Sequence, residues 1–119
     1  MDSSVLNDIK KLLGLEPDYT CYDIDIIMFI NSALAEVAQL GYGPNTGVRI
    51  ESASETWEQI LPDTTTQIEL VKEFVYLKTR IIFDPPQSGT VLSSYNERIK
   101  ELAWRLNVSP SVVAPIQEG

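Results

Sequence analysis

The sequence Asp84-Pro85-Pro86 divides two helical patterns and permits neither to run through it. Proline fixes φ, lacks an N–H, and disfavours the α conformation at the residue before it. Upstream, residues 66–83 carry two apolar rows at helical spacing. One is Leu70, Phe74, Leu77 and Ile81; the other is Ile68, Val71, Val75 and Ile82. Together they cover more of the circumference than the single stripe of a surface helix, which predicts the central helix of the core. Downstream, residues 90–106 carry a narrower stripe of Leu92, Tyr95, Ile99, Leu102 and Leu106. A connection this short predicts that the two helices lie antiparallel around the proline corner.

Two further helices precede the corner. Residues 4–13 begin at a capping serine, present Val5, Ile9, Leu12 and Leu13 on one face, and end at Gly14. Lys10 and Lys11 fall in the last turn, where cations suit the helix dipole. Residues 23–40 start at Asp23 and Asp25 and repeat Ile26, Ile27, Ile30, Ala33, Leu34, Val37 and Ala38 at helical spacing. The stretch 41–54 is rich in turn formers and predicts an extended loop, within which 47–51 alternates like a short strand. Residues 54–61 read as a helical turn or two. The expected fold is therefore all-α: about four helices in one domain over 1–107, followed by an irregular, proline-punctuated tail over 108–119.

Composition narrows the function more than any motif does. The chain has 119 residues, a formal net charge of −8, one cysteine and no histidine. A single cysteine excludes an intramolecular disulfide and a cysteine metal cluster. Absence of histidine removes the commonest general base and metal ligand. Asp18, Asp23 and Asp25 lack the glycine and terminal glutamate of a calcium loop and read as turn and cap residues. No phosphate-binding loop, serine elbow or spaced carboxylate pair is present, so the expectation is no enzyme and no cofactor. The negative charge argues against a nucleic-acid ligand, whose phosphates are held chiefly by Lys and Arg. No apolar run approaches membrane-span length and no basic leader opens the sequence, which predicts a soluble protein made in a cytosol.

A few side chains stand out. Trp104 lies nearly opposite the stripe of helix 90–106, so either a loop of the same chain covers it or it is a subunit contact; tryptophan is enriched at interface hot spots. Glu97 and Lys100 share that outer face. Lys78 falls between the apolar rows of helix 66–83 and either lays its stem across the core or pairs with a carboxylate on another helix or subunit. Arg80 projects to a polar face with Glu69, Glu73 and Tyr76. In the tail, Val112, Val113 and Ile116 are apolar with no place in the helical pattern. A rival reading takes the segment 101–113 as a helix-turn-helix, with a recognition helix starting near Ser109. Against it, no Lys or Arg follows Arg105, which denies such a helix its phosphate anchors.

The block Phe74 to Pro86, with its Lys78-x-Arg80 and Asp84-Pro85-Pro86, followed by Tyr95-Asn-Glu-Arg-Ile-Lys-Glu-Leu-Ala-Trp-Arg-Leu106, resembles the head-tail connector (adaptor) family of tailed bacteriophages and prophages. The Leu6–Gly14 helix and the Ile/Ala-rich second helix are similar to that family too. The resemblance implies a structural, non-enzymatic virion protein at the capsid vertex, assembled in the bacterial host cytoplasm. It implies a homo-oligomeric ring of about a dozen copies under the portal protein, docking a downstream head-closure or tail protein. DNA would pass through that ring without specific binding. On this reading Asp84, Pro85 and Pro86 set a structural corner, and Glu97, Lys100, Trp104, Val112, Val113 and Ile116 are the candidate contact residues. The alternative class is a small acidic regulatory or binding module, including the helix-turn-helix case.

Overall fold

The computed structural model describes residues 4–40, 49–61 and 68–111, with side chains described as far as Asn107. Among the described residues five helices form, in the order α1 (Val5–Leu12), α2 (Asp23–Gln39), α3 (Trp57–Ile60), α4 (Ile68–Phe83) and α5 (Gly89–Ser111). Among the described residues there is no strand; Ser4 and Thr56 make an isolated antiparallel bridge.

α1 is capped as its sequence predicts. The Ser4 hydroxyl accepts from the Asn7 N–H at 3.1 Å, and Gly14 takes φ 87° just past the end, a conformation glycine adopts without a Cβ penalty. α3 is one turn held by a capping box: Thr56 accepts from Gln59 N–H, and Gln59 Oε1 accepts from Thr56 N–H at 2.9 Å. The strand-like alternation at 47–51 does not produce a strand where it is described, at 49–51. Instead the Asn31 amide on α2 accepts from Ile50 N–H at 2.8 Å and donates to Ile50 C=O at 2.9 Å. One side chain thus supplies what a neighbouring strand would have supplied, and Ile50 is buried.

α4 is the centre of the core, as expected from its double apolar row, with Val71, Phe74, Val75 and Leu77 buried. Burying a side chain such as Phe74 contributes about 2–3 kcal/mol. α2 and α5 both pack extensively on α4. Tyr22 at the start of α2 meets Phe83 at the end of α4 edge-to-face, with ring centroids 5.2 Å apart. At α2's other end, Asn107 Nδ2 donates to Leu40 C=O at 3.1 Å. Glu73 meets Arg98, while Arg80 lies over the Tyr95 ring, so α4 and α5 are antiparallel.

The corner itself is closed by side chains. Arg80 Nε donates to Asp84 C=O at 2.7 Å and Nη1 donates to Tyr76 Oη at 3.0 Å. Asp84 N–H donates to Arg80 C=O at 2.8 Å, and the Ser88 hydroxyl accepts from Val91 N–H at 3.3 Å to start α5. α5 does not end at 106; it continues to Ser111. Pro110 lies within its last turn. The turn required by a helix-turn-helix reading is therefore absent, because helix occupies the positions where that turn would lie.

Candidate assembly surfaces

The core is sewn together by polar contacts that local sequence does not announce. Lys10 is fully buried: its ammonium donates to Pro17 C=O at 2.9 Å and lies 2.8 Å from Asp23 Oδ1. The lysine expected to serve the α1 dipole is thus the pin joining α1 to the start of α2. Asp23, read as a cap, is its counterion. Among the described residues no cluster of His, Cys, Asp or Glu could hold a metal.

Trp57 is the second such feature, and sequence reasoning passed over it. It is fully buried, with Nε1 donating to Asp8 Oδ2 at 2.8 Å. Lys72 lies 5.7 Å from its ring centroid and 3.9 Å from the same carboxylate oxygen. The signal in the sequence was Thr56-x-x-Gln59, a capping box directly in front of an apolar pair.

Lys78 and Arg80 each find a carboxylate, but different ones. Lys78 Nζ reaches Glu36 Oε2 on α2 at 3.0 Å, passing 6.0 Å from the Phe74 ring centroid. Arg80 pairs with Asp84 at 3.8 Å. Both therefore act within the chain. Along the α4–α5 seam, Arg98 holds Glu73 in a two-pronged contact at 2.6 and 2.9 Å and also reaches Glu101 at 3.1 Å. The Glu73 hydrogen bond raises the Arg98 pKa despite some desolvation. Hydrogen bonds from Arg105 and then Arg98 hold the Glu101 carboxyl below its ordinary value.

Trp104 remains 66% exposed, and the described residues do not cover it. Glu97 and Lys100 are exposed beside it, 3.8 Å apart. Other large apolar side chains at the surface include Ile24, 82% exposed, and Met28, 56% exposed, one turn apart on α2. Val112, Val113 and Ile116 lie outside the described residues. No helix among the described residues is long and apolar enough to cross a membrane.

A family model described as "Phage connector protein" matches residues 5–112. The chain belongs to the phage connector protein family. No curated protein and no solved structure matches it.

Proposed function

We propose that this chain is the ring-forming connector at the head–tail junction of a tailed phage or prophage. In this role it sits beneath the portal, extends the DNA channel, and offers its far side to the next head-closure or tail protein. The observation that carries the reading is the family match over nearly the whole chain. A connector has a structural role, and catalysis is not part of this reading.

Two properties support it. Among the described residues Trp104 stands exposed with Glu97 and Lys100 on the outer face of α5, as an interface anchor would. The charge of −8 suits a channel that passes DNA, since carboxylates repel phosphates within about 8–10 Å at physiological salt. The tail residues Val112, Val113 and Ile116 are candidate contacts in the same assembly.

The test is sedimentation and negative-stain imaging of the purified chain, alone and with portal. The expected result is a concentration-dependent balance of monomers and rings, with portal templating the ring. Trp104→Ala should abolish rings while leaving a helical monomer, at a cost of about 2–4 kcal/mol per contact. Rings that form normally in the variant would remove Trp104 from the interface. Failure of the wild type to assemble at any concentration, with or without portal, would refute the reading.

A further inference from the structure

α2 is apolar on two sides. Ile26, Ile30, Ala33, Leu34 and Val37 are buried toward the core, while Ile24 and Met28 point away from it. Large apolar side chains exposed opposite a buried face mark a contact surface, and the described residues cover only the core-facing side of α2. α2 contains no Lys or Arg, and Asp25 stands exposed next to Ile24. On α5 the outer face runs Ser93, Glu97, Lys100 and Trp104, spaced 4, 3, 4, with a cation one turn from the uncovered indole.

These two faces cannot meet within one chain. Lys78, which reaches α2, lies about 160° around α4 from Arg80 and about 140° from Glu73, both of which reach α5, at about 100° per residue. α2 and α5 therefore pack on different sides of α4, and Asn107 of α5 meets α2 at Leu40, the end opposite Ile24 and Met28. Each copy carries one apolar anchor with Lys100 one turn away and Glu97 two turns away, and one apolar face with Asp25 beside it and no cation on its helix.

We propose that the Ile24–Met28 face of α2 is the seat for the outer face of α5 of a second copy. Trp104 of that copy packs on Ile24 and Met28, and Lys100 of that copy faces Asp25. The contact joins unlike surfaces, so it propagates head to tail and closes only as a ring or continues as a filament. It rests on the ring reading above and assigns the surface that reading leaves open.

The experiment uses a Cys21→Ser background, which removes the exposed native thiol. Met28→Cys and Lys100→Cys are introduced singly and together, and the assembled protein is treated with a short bis-maleimide. The double variant should give a ladder of covalent oligomers on a denaturing gel, each single variant should stay monomeric, and a mixture of the two singles should stop at dimers. Asp25→Lys should weaken assembly, and adding Lys100→Asp should restore it. Covalent dimers from Met28→Cys alone would show a symmetric contact and overturn the proposal. Absence of a ladder, when sedimentation shows the double variant assembled, would overturn it while leaving the ring reading intact. Absence of any wild-type assembly would overturn both.

Discussion

The Lys10–Asp23 pair gives the sharpest test of how this core is built. Lys10 is 0% exposed and Asp23 24% exposed on the side chain, with 2.8 Å between the charges. Asp23→Asn keeps the shape and an acceptor oxygen but leaves a buried ammonium with only the Pro17 carbonyl. Removing one partner of a buried pair costs about 3–5 kcal/mol, and partial water access at Asp23 places this one nearer about 2–3 kcal/mol. For a chain of 119 residues, unfolding entropy is about 0.25 kcal/mol per degree, so Tm should fall by about 8–12 °C. Asp23 also sits in the first turn of α2, where losing a negative charge costs something by itself. Asp25→Asn supplies that control, because Asp25 shares the turn but is exposed; its loss should stay under about 1 kcal/mol. Lys10→Met combined with Asp23→Asn should recover most of the stability, with a coupling of at least about 1.5 kcal/mol in the double-mutant cycle. The assay is urea unfolding followed by circular dichroism. Equal losses for Asp23→Asn and Asp25→Asn would refute the buried-pair argument.

Two further outcomes follow from the polar inventory. Thr79 is fully buried and, among the described residues, its hydroxyl has no hydrogen-bond partner; Thr79→Val should raise stability by about 1 kcal/mol in the same assay, and a loss of that size would show that the hydroxyl is bonded. Glu55 is partly desolvated, which raises its pKa, but the Glu51 and Ser52 N–H groups donate to its carboxylate at 3.0 and 3.2 Å and bring it below the ordinary 4.5. Its folded pKa is depressed, so its contribution is complete above about pH 4.5 and is lost as pH falls through the folded value. The stability gap between wild type and Glu55→Gln should accordingly shrink below pH 4.5; a gap constant down to acid pH would show that charge plays no part.

What the sequence made legible is what local chemistry decides. Ser4, Gly14 and the apolar rows of 66–83 place helices because capping, φ > 0 and periodicity act within a few residues. Trp104 was legible for the same reason: its angle on α5 follows from spacing alone. Lys10 and Trp57 were not, because their meaning depends on Asp23, Pro17 and Asp8 brought from elsewhere. A lysine in a last turn and a tryptophan on a one-turn helix carry no periodic signal of burial. The alternation at 47–51 misled because Asn31 satisfies Ile50's backbone from a helix, an arrangement with no sequence signature. The end of α5 was misjudged because the apolar stripe stops at Leu106 while the helix runs on to Ser111, so periodicity gave no sign of its last turn.

The fastening of α1 bears on the order in which the chain can fold. Val5 N–H donates to Glu55 C=O at 3.0 Å, and Asp8 accepts from the Trp57 indole across 49 residues. Closing a loop of that length costs about 3 kcal/mol before any contact repays it. During synthesis, Lys10 can meet Asp23 of α2 early, but the contacts of Val5 and Asp8 must wait until Glu55 and Trp57 have left the ribosome. The eight residues of α1 are too few to persist alone in water. The N-terminal segment is thus among the last parts of the domain to lock, and its amides should be among the first to exchange when the native state breathes.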